Sequence, residues 1–166
     1  SGGCDLIFVT VGTQFSFDRL IKAVDVWAAR QHAPDVVAQI GPSDYQPLAI
    51  EVYSFIAPEK FSEYQRKAQL FISHAGTGAI LAAQELGKPI IIMPRLNDLG
   101  EHRNEHQLFT AKQFLGKPGI YVAMNVEELN CLLNKKDELS GCTPISSFAS
   151  KDLIDALKSF FSAKSM

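Results

Sequence analysis

The run from Gln69 to Pro89, Gln-Leu-Phe-Ile-Ser-His-Ala-Gly-Thr-Gly-Ala-Ile-Leu-Ala-Ala-Gln-Glu-Leu-Gly-Lys-Pro, concentrates the residues able to do chemistry. Its apolar start predicts a buried strand, Ser73 to Gly78 a tight turn, and Thr77 to Leu86 a helix stopped at Gly87. A turn of that build presents unpaired backbone N–H groups at the positive end of a helix dipole, which is a cradle for phosphate. Ser73, Gly76, Thr77 and Gly78 are small enough for a ligand to approach the main chain, and Thr77 adds a hydroxyl. His74 is expected to supply a donor, charged or neutral, at the mouth. The same residues would also serve a plain strand-to-helix connection, and the two roles are compatible. A second polar concentration runs from Asn97 to Gln107, after the apolar stretch Pro89 to Met93 and the pair Pro94-Arg95. Gly12-Thr13, at the end of the first apolar run, is either a simple strand-ending turn or a third contact to a phosphate or to a second substrate.

Alternating apolar runs and helical periodicities position these three groups. Leu6 to Val11 is a continuous run suited to a parallel strand covered on both faces. Phe17 to Arg30 has Phe17, Leu20, Ile21, Val24 and Trp27 or Ala28 at helical spacing, with Ser16 or Asp18 as the expected cap. Further strands are expected at 36–40, 50–55, 69–73, 89–93 and 120–122. Helices are expected at 59–67, 77–86, 102–114 and 126–133, the fourth with Leu108, Ala111 and Leu115 inward. This rhythm implies an α/β fold with a doubly wound parallel sheet and right-handed crossovers. In such sheets ligands lie beyond the carboxyl ends of the strands. All three polar groups fall on that rim.

With 166 residues the chain supports one domain with a real core, and not two Rossmann-like halves of roughly 150 residues each. An apolar fraction of 46% fits an ordinary globule, and a formal net charge of −2 gives a nucleic-acid partner no electrostatic support. Cys4, Cys131 and Cys142 share no Cys-x-x-Cys spacing, so free thiols in a reducing, cytoplasmic setting are expected. No window approaches the roughly 18 apolar residues of a membrane span, and a strand begins almost at once, with no room for a signal peptide. Ser1 to Gly3 is expected to be a remnant of cloning, residues 4–134 the folded domain, and 135–166 a polar linker followed by an amphipathic helix over Phe148 to Phe161. That helix either folds back on the sheet or presents a docking face, because helical spacing suits both.

The order His74-Ala-Gly-Thr-Gly78, Gly87-Lys-Pro89, a strand, Pro94 and a polar His/Asn/Gln cluster resembles the C-terminal, nucleotide-sugar-binding domain of family 28 glycosyltransferases, over about residues 5 to 133. It is most similar to the stand-alone donor subunits of split transferases, found in bacterial exopolysaccharide and capsule synthesis and in dolichol-linked GlcNAc transfer. Pro94-Arg95 and Gly100 to Gln107 are nearest the bacterial type.

The resemblance implies the Rossmann-like C-terminal half of a GT-B enzyme, binding a UDP-sugar and working by inversion at the anomeric carbon. Gly76, Thr77 and Gly78 would cradle the diphosphate, with Gly12, Thr13 and Ser73 beside them. His74, in the catalytic role, would stabilise the leaving diphosphate with Arg95 or Arg103. His102, Arg103, His106 and Gln107 would contact sugar or phosphate, their donors and acceptors suiting hexose hydroxyls. Glu101 and Glu105 are assigned to a solvated helix start. His102 and His106 are spaced as a metal pair, yet no third ligand is near and the fold type works without metal, so neither a metal nor a cofactor is expected.

The partner would be a membrane-associated, acceptor-binding subunit that recruits this chain to the cytoplasmic face of the inner membrane, with homo-oligomers possible in isolation. One departure is that Ala82 stands where the family's ribose-binding glutamate is expected, with Glu85 a turn further on. That departure favours an alternative, a non-catalytic activator of a partner transferase. A nicotinamide-binding module is disfavoured, since Val11 to Phe17 lacks Gly-x-Gly-x-x-Gly.

Overall fold

The computed structural model describes residues 5–31, 35–96, 99–101 and 106–142. Six strands, β1 (Leu6–Thr10), β2 (Asp35–Gln39), β3 (Glu51–Tyr53), β4 (Leu70–His74), β5 (Ile90–Met93) and β6 (Ile120–Val122), form one sheet in the order β3-β2-β1-β4-β5-β6. All five pairings are parallel. The helices are α1 (Asp18–Arg30), α2 (Pro58–Lys67), α3 (Thr77–Leu86), α4 (His106–Gln113) and α5 (Val126–Asn134). This is the α/β fold with a doubly wound parallel sheet expected from the sequence rhythm. The winding reverses between β1 and β4, so the carboxyl ends of these two strands flank the crevice where such sheets take ligands.

Strand alternation divides the core in two. Ile7, Val9 and Val11 face a cluster with Leu20, Val24 and Trp27 of α1 and Leu129 and Leu133 of α5. Leu6 and Phe8 face the opposite cluster, where Phe61 and Tyr64 of α2, Ile80 and Ala83 of α3, and Ala111 of α4 pack. Phe8 stacks on Tyr64 at 5.6 Å and meets Phe61 edge-on at 5.0 Å, which fastens α2 across the sheet. No helix among the described residues is long and apolar enough to cross a membrane.

Three expectations change. Neither Ser16 nor Asp18 caps α1; Phe17 is the N-cap, with no side-chain hydrogen bond, and Asp18 instead accepts from the Ser43 hydroxyl at 2.6 Å. On α4, Ala111 is buried but Leu115 is 58% exposed, because the helix ends at Gln113 and the turn that follows sends Phe114 into the core instead. The stretch from Lys135 does not leave the domain as a polar linker. A 3₁₀ turn at Lys136–Glu138 brings Leu139 against the core, the Tyr121 hydroxyl accepts from the Ser140 N–H at 2.9 Å, and the Cys142 N–H reaches the Lys88 carbonyl at 3.3 Å. Gly119 permits this return, since a Cβ there would lie 2.3 Å from the Cys142 backbone. The expected helix over Phe148 to Phe161 lies outside the described residues.

One buried carboxylate ties α1 to the β2–β3 connection. Asp25 is fully buried and accepts from the Tyr45 hydroxyl at 2.6 Å, the Leu48 N–H at 2.7 Å and the Ala49 N–H at 2.8 Å. Burial, and then the bond to Asp25, push the Tyr45 hydroxyl up to about 12. Asp25→Ala removes the shared acceptor of three part-buried hydrogen bonds and is expected to cost about 2–4 kcal/mol in urea unfolding. Asp25→Asn should recover part of that loss, because one amide oxygen still accepts while its NH₂ opposes a donor.

Cys142 is buried, and burial pushes its thiol up from 9.0 to about 11, whereas Cys131 is exposed. The folded value lies above the unfolded one, so this contribution to stability is complete below pH 9 and is lost as pH rises through about 11. In a Cys4→Ser protein at pH 8, a thiol reagent should label Cys131 at once and Cys142 only at the rate of unfolding, as quenched mass spectrometry would read. Above pH 9, stability should fall more steeply than in a matched Cys142→Ala protein.

Candidate functional site

Three loops meet at the carboxyl ends of β1, β4 and β5. After β1 the chain turns at Gly12, whose φ of +78° is a left-handed value that favours glycine. After β4, His74 closes the strand and Gly76 opens α3, its N–H bonded back to the His74 carbonyl at 2.8 Å. Gly76 has an ordinary negative φ of −103°, so it is required for another reason. A Cβ there would stand 2.7 Å from Cε1 and 2.9 Å from Nε2 of His74. The imidazole thus occupies the space that a side chain at position 76 would need. No such constraint holds at Gly78, where an added Cβ meets nothing within 4 Å.

Two cavities open on either side of this imidazole and share His74 and Gln107 as their common wall. One, about 270 Å³, is lined by Val11 to Phe15 and Arg95. The other, about 460 Å³, is lined by Ala75 to Gly78, His106 and Thr110. Helix α3 has no side-chain cap at its N-terminus, so its first-turn N–H groups are left to the second cavity. His74, Arg95 and His106 are the ionisable side chains among the described lining residues, and no carboxylate is with them. Among the described lining residues, a phosphate-sized anion therefore meets donors and no carboxylate.

Arg95 holds the walls together. Its guanidinium donates to the carbonyls of Ser16 at 2.6 Å, Phe15 at 2.8 Å, Glu101 at 3.3 Å and Val11, and it lies 5.0 Å above the Phe17 ring. Burial lowers its pKa to about 10, partly opposed by Glu101, so it is still a cation at neutral pH. The Arg95 backbone N–H donates to Gln107 Oε1 at 3.0 Å, and Gln107 Nε2 meets His74 Nδ1 at 2.8 Å. The loop after β5 is fixed a second time by Arg19 of α1. Its guanidinium donates to both oxygens of Glu101 at 3.0 Å and to the Pro94 carbonyl at 3.1 Å, while Glu101 Oε1 also accepts from the Leu96 N–H.

The expected site residues therefore divide by placement. Gly12, Thr13, His74, Gly76, Thr77, Gly78, His106 and Gln107 line the paired cavities. Ser73 does not reach them; it is fully buried, and its hydroxyl donates to the His74 carbonyl at 2.8 Å. Arg95 borders a cavity but is only 2% exposed with its donors on main-chain carbonyls, so it shapes the site instead of reaching a ligand. Glu101, assigned to a solvated helix start, is instead the partner of Arg19. His102 and Arg103 lie outside the described residues. Ala82 packs, partly buried, against the core on its side of the sheet, and Glu85 is exposed. Arg19 and Thr110 were missed: Arg19 finds its partner 82 residues away, and Thr110 shares a helix turn with His106, the only signal that could have marked it.

Comparison with known proteins agrees with this architecture. The family model "Glycosyltransferase family 28 C-terminal domain" matches residues 6–135. The chain is 35% identical over 142 residues to the UDP-N-acetylglucosamine transferase subunit ALG13 of Homo sapiens, covering 75% of this chain and 11% of that protein. It is 34% identical over 88 residues to the subunit of the same name from Candida albicans, covering 53% of this chain and 28% of the relative. The chain thus spans a small part of these relatives. Among solved structures, the solution structure of ALG13 superposes with a TM-score of 0.61 at 20% identity, over 90% of this chain and 94% of that one. The calicheamicin glycosyltransferase CalG4 gives 0.59 at 20% identity, over 80% of this chain and 34% of that one. At these identities the superpositions speak to the fold alone.

The two glycines predict opposite outcomes. Gly76→Ala forces the imidazole or the turn to move and should cost about 1–3 kcal/mol in urea unfolding. Gly78→Ala has room, and should leave stability unchanged or raise it by up to about 1 kcal/mol through helix propensity.

Proposed function

Because the chain belongs to glycosyltransferase family 28, through that family's C-terminal domain, we propose that it is the donor-binding subunit of a two-component inverting glycosyltransferase. The donor is a UDP-sugar, the transferred group a hexose and the acceptor lipid-linked, in exopolysaccharide or capsule synthesis. The observation that carries this reading is the pair of cavities around His74, bordered by a helix N-terminus and lined by no carboxylate among the described residues. The relatives, which are subunits of UDP-N-acetylglucosamine transferases, support both the nucleotide and the need for a partner.

Displacement at the anomeric carbon needs a stabilised leaving diphosphate and a base for the acceptor hydroxyl. The first task falls to the α3 N-terminus with Gly76, Thr77 and Gly78, and to the His74 imidazole. Gly12 and Thr13 face the same space from β1, and His106 and Gln107 from α4; His102 and Arg103 are assigned to the sugar or phosphate as well. Among the described lining residues there is no carboxylate to act as the base, so that group comes from the partner. The partner is membrane-associated and holds the acceptor, and it brings this chain to the cytoplasmic face of the inner membrane. The chain alone binds donor weakly and turns over little.

A second reading, a non-catalytic activator of a partner transferase, is favoured by Ala82, whose methyl group cannot hydrogen-bond a ribose diol where the family pattern has a glutamate. Isothermal titration with UDP separates the two. The wild type, alone or co-expressed with the product of the neighbouring gene, should bind UDP, and His74→Ala should weaken binding about tenfold or more, the loss of one hydrogen bond to a charged group. Absence of UDP binding in both preparations would remove the donor-site reading and leave the activator.

A further inference from the structure

We infer that Gln107 is a positioning residue that holds His74 in the tautomer with its proton on Nε2, so that the imidazole is a fixed neutral donor and not a group switched by pH. The inference deepens the donor-site reading and rests on it for the identity of the anion.

It follows from one fixed donor. The Arg95 backbone N–H can only donate, and it points at the Gln107 side chain at 3.0 Å, so the atom it meets is the amide oxygen. The other end of the same amide is then NH₂, and it faces His74 Nδ1 at 2.8 Å. A proton on Nδ1 would set two donors against each other, so Nδ1 accepts and the ring proton sits on Nε2. The chain of constraints does not slip, because the Arg95 side chain is itself held by carbonyls of the β1–α1 loop and of Glu101. Gln107 is only 7% exposed, which keeps water from supplying an alternative partner easily. The Nε2 edge of the ring is the one that lies between Gly12 and Gly76, 3.7 Å and 2.9 Å from where their Cβ atoms would be. The donor is thereby aimed at the junction of the two cavities, where the proposed diphosphate enters.

This changes the role expected of Gln107. Its oxygen and one N–H are committed to Arg95 and His74, so it acts on the ligand through the imidazole. Among the described lining residues, the ionisable groups beside His74 are Arg95, from the loop after β5, and His106, from α4; the β1–α1 loop and the α3 turn bring none.

Long-range proton–nitrogen NMR spectra of the wild type at pH 7.5, with His74 assigned by the signals lost in His74→Gln, read the tautomer without any ligand. The expected result is a bare Nδ1 and a protonated Nε2. A proton on Nδ1, an averaged pair of tautomers, or an imidazolium would each overturn the inference. Gln107→Glu supplies the second measurement. A carboxylate accepts from the Arg95 N–H and from a protonated Nδ1, so His74 becomes an imidazolium at low pH and loses its Nε2 proton first as pH rises. The UDP Kd of this variant relative to wild type should then rise with pH, by up to about tenfold per pH unit above the new pKa, the limit for one linked proton. Arg95 and His106 are present in both proteins and cancel in the ratio. A ratio constant from pH 6.5 to 8.5 would show that position 107 does not set the protonation of His74, and would overturn the inference. Should Gln107→Glu fail to fold, the wild-type spectrum decides alone. A wild type with the expected tautomer and no affinity for UDP, either alone or co-expressed with its partner, would support the positioning role while removing the donor-site reading.

Discussion

A buried guanidinium, that of Arg95, bridges the loop after β1 and the loop after β5 by donating to the carbonyls of Val11, Phe15, Ser16 and Glu101. Backbone carbonyls left unpaired in a protein interior are costly, and so is an unpaired cation. Placing one against the other satisfies both, and the planar fork of five donors suits arginine to it where lysine would offer a point charge. The two loops have no β-ladder between them to fix their distance, so the position of the first cavity depends on this contact. The second clasp, between Arg19 and Glu101, adds a bidentate pair that holds the start of the polar loop to α1.

The crevice itself follows from the order of the strands. Because β1 leads outward to β2 and β3 while β4 leads outward to β5 and β6, the loops leaving β1 and β4 part in opposite directions and leave a gap at their roots. His74 is the last residue of β4, so it stands at that gap on a rigid strand and not on a free loop. The β1–β4 and β4–β5 ladders on either side fix its backbone, and Gly76 leaves room for its ring beside the turn. A side chain held this way is preorganised, its place fixed by the sheet before any ligand arrives.

The segment from Lys136 to Cys142 shows how the lower end of the same sheet is finished. It crosses the starts of β5 and β6, and its close passage over Gly119 and Gly87 demands residues without side chains at both contacts: a Cβ on Gly141 would stand 2.1 Å from the Gly87 carbonyl oxygen. The rim that carries the paired cavities and this seam lie at opposite ends of the strands. The domain can therefore be sealed at one end by close main-chain packing while remaining open at the other.

The sequence by itself determined the order and type of the elements, because apolar periodicity and glycine or proline punctuation are local signals: α3 and β6 begin and end at the residues those signals mark, and each of the other strands lies within three residues of its expected ends. It also determined which end of the sheet carries the polar groups, since parallel strands with helical crossovers put every such turn on one rim. Only the tertiary structure decided what those polar residues touch. Ser73 turned inward, Arg95 spent its donors on the main chain, Glu101 paired with Arg19, and Gln107 set itself between Arg95 and His74. None of these pairings is local. A hydrogen bond is chosen by distance and direction in space, and residues dozens of positions apart meet only once the sheet order and the loop paths have been fixed.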